Sequence, residues 1–410
     1  MTAPPGSDSP GLLDGFVVID LSRVLAGPYA GQVMAEMGAD VIKVELPGGD
    51  PSRAIGPHLD GRSAYFSSLN TGKRGVCLDL RTEAGRRALE ALVARGDVVL
   101  HNFRPSIARD LGLDPPTLLG RHPDLVVVTV ASYAGDSDRA EEPAFDLTIQ
   151  AETGIMAVTG EPGRPPVRAG VAASDLVTGL WAAFGAVAAL LARARGAGGR
   201  HVEVPMVDAT LPLLSYLATT ALVTGRDPGK VGSGHHSVRP YGAFPVADGW
   251  IVIAVLADKF WPPLCDALDL GGAKADARFA TNAGRLRFSA EVEAAVVDGL
   301  RNLTLDEAAG RLTRAGVPHA PVLGLLDALS TPYVRHRGLV ADLAVPEGSY
   351  RVVQGPLRTP GAQPRPAPAL GEHTEEVLRE VLGSDSPLLQ EILAASPAGA
   401  PHRPDATKPE

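Results

Sequence analysis

The sequence predicts an α/β fold, with a large Rossmann-like domain around a parallel sheet and a smaller α+β domain. Three observations predict it. Short runs rich in Val, Ile and Leu alternate with helical patterns over the first third of the chain. The pattern changes near residue 226 to Gly- and Pro-rich sequence. A length of 410 residues is enough for two cores.

The elements of the first third follow one another as strand and helix. Near-continuous apolar strands indicate a parallel sheet covered on both faces. The predicted strands are Phe16–Leu21, Asp40–Glu45, Gly75–Leu80, Asp97–Asn102 and Leu125–Val130. The predicted helices between them include Pro28–Gly38 and Thr82–Arg95. Arg200–Met206 also has the composition of a strand.

Later segments predict a second domain and a return to regular structure. Gly249–Val255 is a predicted buried strand, and helical patterns follow from 258 to 316. Strand-like pieces recur between 330 and 360, and Thr374–Leu382 is a predicted helix. We expect residues 1–11 and 395–410 to be disordered, because they lack periodicity and are rich in Pro, Gly or Ala.

Composition excludes several classes of partner. The net charge of −9 argues against nucleic acid or an anionic membrane as partner, and only 5% of residues are aromatic. The N-terminus lacks the pattern of a signal peptide, and two cysteines form no disulfide framework. We therefore expect a cytoplasmic enzyme. Apolar runs near 176–192 and 209–224 are predicted to be buried core or interface helices rather than membrane spans.

Motifs for nucleotide cofactors and metals are not found in the sequence. The turn after the first strand is not G-x-G-x-x-G, and there is no phosphate loop or G-x-S-x-G elbow. His235 and His236 have no carboxylate at ligand spacing. We predict no metal site and no tightly bound cofactor.

Cationic and amide side chains cluster near the ends of the predicted strands. They are Arg23, Asn70, Lys73, Arg74, Asn102 and Arg104. Such groups suit phosphate, and Leu78 and Phe103 could pack against a flat ring. Ligands of parallel sheets bind beyond the carboxyl ends of the strands. This pattern predicts a polyanionic ligand.

Asp175 stands immediately before seventeen uncharged residues of a predicted helix. Two interpretations are open. The carboxylate is an ordinary helix cap, or it is a nucleophile kept ionised by the helix dipole and free N–H groups.

Stretches along the whole chain match the pattern of one known family. They are Leu13–Pro28, Gly38–Glu45, Asn70–Arg74, Leu78–Leu80, Asn102–Pro105, Gln150, Ser174–Asp175, Pro240–Pro245, Ala247–Gly249 and Leu370–Thr374. They run in family order from about residue 12 to 392. By these stretches the chain resembles the class III coenzyme A (CoA) transferases, the group of formyl-CoA transferase and carnitine-CoA transferase that also contains the α-methylacyl-CoA racemases.

The resemblance implies an interlocked homodimer whose large domain is built from both chain ends. It assigns residues 12–225 and 329–394 to the large domain and 226–328 to the small domain. It implies that Asp175 attacks the acyl-CoA thioester, giving an acyl-aspartyl anhydride and then an aspartyl-CoA thioester that the acceptor carboxylate opens. Acyl-CoA and a carboxylic acid would be the substrates.

The resemblance also implies the remaining site residues. Oxyanion donors would be the backbone at Val24 and Leu25 and a glycine loop with Gly232 and Gly234, near Gln150. The implied CoA contacts are Arg23, Val24, Leu25, Lys73, Arg74, Leu78, Asn102, Phe103, Arg104, Phe145 and Asp146. An arginine usual in the family is shifted here, to Arg109.

Two departures favour a transferase over a racemase. Phe145 stands where racemases have a proton-transferring His, and Ala257 stands at a glutamate position, with Asp258 one place away. An acyl-CoA epimerase and a CoA-binding protein without catalysis remain the alternatives. The substrate pair stays open, because only Arg53, Arg62 and Arg239 could serve a second carboxylate.

Overall fold

The computed structural model describes residues 10–346, 348–359 and 361–395. The predicted disordered ends fall almost entirely on residues 1–9 and 396–410, which lie outside the described residues.

The strands of the described residues are numbered in chain order. They are β1 (Val17–Asp20), β2 (Asp40–Glu45), β3 (His58–Leu59), β4 (Arg62–Ser63), β5 (Arg74–Cys77), β6 (Val98–His101), β7 (Val126–Ala131), β8 (Arg200–Pro205), β9 (Tyr241–Val246), β10 (Gly249–Ala254), β11 (His319–Pro321), β12 (Val340–Val345) and β13 (Gly348–Val353).

The helices are numbered in the same way. They are α1 (Ala26–Glu36), α2 (Ala64–Asn70), α3 (Glu83–Val93), α4 (Pro105–Asp110), α5 (Pro115–Arg121), α6 (Asp146–Glu152), α7 (Ile155–Val158), α8 (Ala173–Ala192), α9 (Met206–Thr210), α10 (Ser215–Thr224), α11 (Trp261–Ala267), α12 (Gly271–Ala275), α13 (Asn282–Arg287), α14 (Ser289–Leu300), α15 (Leu305–Arg314), α16 (Leu325–Leu329), α17 (Pro332–Arg337), α18 (Thr374–Leu382) and α19 (Pro387–Ala395).

A six-stranded sheet in the order β5-β2-β1-β6-β7-β8 organises the larger part of the chain. All of its pairs are parallel, so the predicted parallel sheet is confirmed. Bounds differ from prediction by one to three residues in most strands, whereas β2 has the predicted bounds. The strand-like Arg200–Pro205 forms the edge strand β8 beside β7.

Helices cover both faces of this sheet. Alternate strand residues point to opposite faces, so Val18 and Val41 pack with α1 and α8, whereas Ile19 and Ile42 pack with α3, α18 and α19. The C-terminal helices α18 and α19 therefore complete a layer over strands from the N-terminal part of the chain. Apolar side chains on both faces explain the near-continuous Val and Ile runs.

The chain forms two compact units. The first unit takes in the residues up to Thr153, Val171–Leu213 and the residues from Arg335 on. The second unit consists of Gly154–Gly170 and Leu214–Val334, and its core joins the antiparallel sheet β11-β10-β9 to helices α11, α14 and α15. Strand β9 lies in sequence rich in Gly and Pro, which concealed it from the pattern-based prediction.

Two helical stretches are long and apolar enough to cross a membrane by length and composition, Ala173–Ala197 and Met206–Thr224. In their most apolar windows, 39% and 17% of the residues are buried within the chain. The first stretch contains α8, which packs on the large sheet. In the second, the large apolar side chains of Leu211, Leu213, Tyr216, Leu222 and Val223 are exposed within the described part of the chain.

Candidate active site

Asp175 is the third residue of α8, in the first turn of a twenty-residue helix. The helix follows Ala172, whose methyl group cannot cap it. Asp146 supplies the missing acceptor: its Oδ1 lies 2.9 Å from the Ser174 backbone nitrogen and 3.4 Å from that of Asp175. A distant carboxylate thus satisfies N–H groups that a helix start leaves free, and Asp175 is not the cap.

Asp146 is itself held by Gln150, one turn later on α6. The Gln150 side-chain amide donates to Asp146 Oδ2 at 2.7 Å and contacts the Val171 carbonyl oxygen at 3.4 Å. Gln150 is fully buried and Asp146 is 9% exposed. Gln150 therefore supports Asp146. Phe145, the preceding residue, is 69% exposed.

The ionisation of Asp175 differs from the expectation based on the helix dipole. Burial, and then the charge of Asp146, raise its pKa to about 7. Burial first, followed by the charges of Asp175 and Asp146, also raises the pKa of the Tyr65 phenol on α2. Tyr65 therefore lies within the electrostatic reach of both carboxylates. Sequence reasoning missed Tyr65, because a lone half-buried Tyr carries no motif.

Helix α1 packs tightly against the start of α8. A Cβ atom on Gly179, one turn after Asp175, would lie 2.6 Å from the Ala26 carbonyl oxygen and 3.0 Å from the Tyr29 ring. A side chain at residue 179 would therefore force the helices apart. This contact brings the beginning of α1, and the loop before it, alongside the helix that carries Asp175.

The loop between β1 and α1 lies at the carboxyl edge of the sheet. Asn102, after β6, binds both the N–H and the carbonyl oxygen of Arg23, at 2.9 and 2.8 Å. The Arg23 guanidinium lies over the Phe103 ring, 5.4 Å from its centroid. Arg23 and Phe103 border a narrow cleft with Leu21, Leu46, Asp50 and Leu80.

Exposed cations are available at this edge. Arg104 is exposed at the N-cap of α4. Within the described part of the chain, neither Arg23 nor Arg104 has a carboxylate partner at ion-pair distance. Two unpaired guanidinium groups near one cleft are suited to phosphate oxygens.

Lys73 and Leu78 are buried and Arg74 lies at the other edge of the sheet, so the predicted residues do not form one exposed cluster. The fully buried Lys73 ammonium donates at 2.8 Å to Asp20 and at the same distance to the Pro28 carbonyl and Asn70. Burial, opposed by Asp20, lowers the pKa of Lys73 to about 8. Leu78 is 1% exposed in the core.

Arg74 is the first residue of β5 and therefore lies at the amino edge of the parallel sheet. Its guanidinium pairs with Asp40, Glu376 and Glu380 at 2.5 to 3.1 Å. The predicted strand Gly75–Leu80 likewise put Arg74 at its amino end, opposite to the edge where ligands of parallel sheets bind. Arg109 on α4 lies 3.6 Å from Glu141.

Some of the predicted oxyanion donors are already engaged. The Val24 N–H points to Asp50, with 3.2 and 3.3 Å to its two oxygens. In the second unit, the Gly232 N–H donates to the Gly160 carbonyl and the Gly234 N–H to the Val231 carbonyl. The Leu25 N–H, by contrast, has no acceptor among the residues that the structure describes.

The glycine loop of the second unit is held by aromatic rings. His235 stacks on Tyr216 with 5.4 Å between centroids and also contacts Tyr241 at 5.3 Å. The His236 ring lies 2.7 Å from the Gly229 carbonyl oxygen. Across residues 10–346, 348–359 and 361–395, no group of three His, Cys, Asp or Glu residues is arranged to hold a metal ion.

Comparison with known proteins identifies the family. The profile of CoA-transferase family III matches residues 13–374. A succinate–glutarate CoA-transferase of Agrobacterium fabrum is 35% identical over 393 residues, covering 93% of this chain and 98% of that protein. A succinyl-CoA:mesaconate CoA-transferase of Haloarcula hispanica is 35% identical, covering 90% of this chain and 96% of the relative.

Solved structures agree with these relatives. A CaiB/BaiF family protein from Brucella suis superposes with a TM-score of 0.82 at 34% identity, covering 91% of this chain and all of that one. The Rv3272 protein of Mycobacterium tuberculosis gives a TM-score of 0.78 at 31% identity, with 89% and 99% covered. Family membership implies CoA thioesters as substrates. The chain is an enzyme of CoA-transferase family III.

Proposed function

We propose that this transferase works by covalent catalysis, with Asp175 as the nucleophile that carries first the acyl group and then CoA. The observation that carries the proposal is the position of Asp175. A half-buried carboxyl group stands in the first turn of a long helix, and Asp146 accepts the N–H groups of Ser174 and Asp175 there. A carboxylate not used as a cap is free to react.

Four bond exchanges return the enzyme to its starting state. An Asp175 oxygen attacks the thioester carbon of the donor, and the C–S bond breaks to release CoA thiolate and leave a mixed anhydride. The thiolate attacks the aspartyl carbon, releasing the donor acid and forming an aspartyl-CoA thioester. The acceptor carboxylate attacks that carbon and expels the thiolate. The thiolate then attacks the acceptor acyl carbon, giving the new acyl-CoA and free Asp175.

A raised pKa suits this chemistry. A carboxylate with a pKa of about 7 is more basic than an exposed one, and near neutral pH about half of it is ionised. The Leu25 N–H, at the start of the helix that packs beside Asp175, is a donor available for a developing oxyanion. Partial burial limits competing attack by water on the anhydride.

The carboxyl edge of the sheet is the proposed CoA site. Arg23 and Arg104 would bind phosphate oxygens, and the Phe103 ring together with the Arg23 guanidinium would pack against the adenine. Asn102 would act by fixing the Arg23 backbone.

The proposed acceptors are small dicarboxylates. Succinate, glutarate, mesaconate and oxalate appear in the names of relatives that are 32 to 35% identical. The three arginines considered from the sequence are engaged. Arg53 binds Glu45, Arg62 reaches the Ala367 carbonyl, and Arg239 binds Glu293. We therefore assign the second carboxylate to none of them.

The working form is proposed to be an interlocked homodimer. Helix α8 exposes Leu180, Trp181, Phe184 and Leu191, by 45 to 65% of their surfaces, and α10 exposes Leu222 and Val223 by 80% or more. Apolar faces of this kind are usually covered by a partner. Light scattering after size exclusion should give twice the chain mass of 42.5 kDa. A monomer, or a protein recovered only in detergent, would contradict a dimer that buries these apolar faces in its interface.

We further propose a cytoplasmic location, because the net charge of −9 disfavours anionic membranes and nucleic acid. Cell fractionation tests this, and recovery in the membrane fraction would contradict it. The epimerase alternative gains no support: Asp258 already binds Arg285 at 2.7 Å, and Phe145 cannot transfer protons.

Chemical trapping tests the proposed function. Purified enzyme is incubated with succinyl-CoA, then with hydroxylamine, and digested for mass spectrometry. We expect a hydroxamate at Asp175 that is formed only with the donor. Labelling at another residue, or no label during measurable transfer, would overturn covalent catalysis at Asp175. A screen of dicarboxylate against monocarboxylate acceptors tests the substrate class separately.

A further inference from the structure

Val24 has a backbone conformation that valine rarely adopts. Its φ angle is +70°, in the left-handed region where a β-branched side chain is strained. Such a residue persists where its surroundings hold it in place. It lies in the loop at the carboxyl edge of the sheet, next to Arg23, so the strain is located at the proposed CoA site.

Asp50 holds this conformation. Its two oxygens accept the Val24 N–H at 3.2 and 3.3 Å, and Oδ1 also accepts the Ser52 N–H at 2.9 Å and the Ser52 hydroxyl at 2.7 Å. Lys43, fully buried, pairs with Asp50 at 2.9 Å and donates to the Ser22 carbonyl as well. Residues on both sides of Arg23 are therefore tied to one buried ion pair.

Asp50 is ionised near neutral pH. Burial on its own would raise the pKa of this carboxyl group, but the charge and hydrogen bond of Lys43 and the Ser52 donors outweigh burial and lower it to about 2. A neutral side chain of the same size would leave the buried Lys43 ammonium without a counter-ion.

We infer that Asp50 is a positioning residue for CoA binding, which fixes the Ser22–Val24 loop so that the Arg23 guanidinium lies over Phe103 at the mouth of the cleft. The inference rests on the proposed CoA site. Asp50 acts through Val24 and Lys43 and need not touch the ligand. Preorganisation of this kind raises affinity because binding does not have to order the loop.

A double-mutant cycle tests this role. Glycine adopts positive φ without strain, so Val24→Gly should make the loop less dependent on Asp50. We expect Asp50→Asn to weaken CoA binding, measured by calorimetry, by about tenfold or more. Val24→Gly is measured as the second reference of the cycle, and Asp50→Asn in the Val24→Gly background should lose much less affinity relative to Val24→Gly than Asp50→Asn loses relative to the parent.

The matched control is Asp97→Asn at the amino edge of the sheet. Asp97 also accepts a backbone N–H, that of Val17 at 2.8 Å, and pairs with a cation, Arg193 at 2.7 Å. This variant should lower the Tm without changing the Kd for CoA. If Asp50→Asn does not fold, Lys43→Met with Asp50→Asn removes the unpaired ammonium and permits the same measurement.

Two results would overturn the inference: unchanged CoA affinity in Asp50→Asn, or equal losses from Asp50→Asn with valine and with glycine at residue 24. Two other results would instead count against the proposed CoA site: failure of the unaltered enzyme to bind CoA, or an unchanged Kd for CoA in Arg23→Ala. The two failures are therefore distinguishable.

Discussion

The carboxylate of Asp146 caps the helix that carries Asp175, although 28 residues separate it from its nearer partner, Ser174. The same contact places a second negative charge beside the proposed nucleophile, and this charge contributes to its raised pKa. Asp146 therefore has two effects, one on the start of α8 and one on the ionisation of Asp175, that substitutions can separate.

Asp146→Asn should shift the acidic limb of the kcat/KM profile to lower pH. The amide retains an oxygen for the Ser174 N–H but removes the charge that raises the pKa of Asp175, so ionisation begins at lower pH. Glu152→Gln, at the other end of α6 and paired with Arg139, is the control and should leave the limb in place. An unmoved limb in Asp146→Asn would contradict the electrostatic role.

Asp175→Asn should abolish transfer and stabilise the fold at alkaline pH. The folded pKa of about 7 exceeds the ordinary value of 3.8, so the folded chain retains a proton that the unfolded chain loses, and stability falls as pH rises between them. The difference in free energy of unfolding between the variant and the parent should therefore increase by about 1–2 kcal/mol as the pH is raised from about 5.5 to 8.5. This figure is discounted for the partial exposure of Asp175.

Denaturant titrations at both pH values measure this gain. Asp306→Asn, which changes an exposed first-turn carboxylate of α15, is the control and should show no such pH dependence. Residual turnover above a hundredth of the parent rate, set as an approximate limit for an essential nucleophile, would rule out the covalent role.

Arg23→Ala should change substrate binding, whereas Arg74→Ala should change stability. Arg23 is exposed at the carboxyl edge, so its loss should raise the KM for acyl-CoA about tenfold with little change in Tm. Arg74 joins three carboxylates at the amino edge, so its loss should lower the Tm and leave this KM unchanged. Steady-state kinetics and thermal unfolding of both variants decide, and a raised KM in Arg74→Ala would favour the sequence-based prediction.

Gly179→Ala should destabilise the fold by about 1–3 kcal/mol, because its methyl group would press on the Ala26 carbonyl oxygen. The displacement should also lower kcat, since α1 would move relative to Asp175. Gly120→Ala, where an added Cβ meets no atom within 4 Å, is the control for the loss of glycine itself. Equal stability of the two variants would show that the helices can separate without cost.

Local features were predictable from the sequence, and long-range contacts were not. Strand β2 and helix α18 have the predicted bounds, because apolar runs and helical periodicity are properties of neighbouring residues. The contact between Asp146 and α8 depends on how two helices pack, and no local pattern encodes it. The burial of Lys73 was missed for the same reason: its partner Asp20 lies in β1, 53 residues earlier in the chain.

Helices α18 and α19, described above as a layer over the large sheet, also set the order of events during synthesis. Val76 in β5 and Leu78 just after it lack their C-terminal cover until the ribosome has made almost the entire chain. Such a nascent chain exposes aggregation-prone apolar surface for most of its elongation. Its fold is completed only by contacts between residues far apart in the sequence. A stop codon before α18 should therefore yield insoluble product, even though every proposed catalytic side chain precedes it.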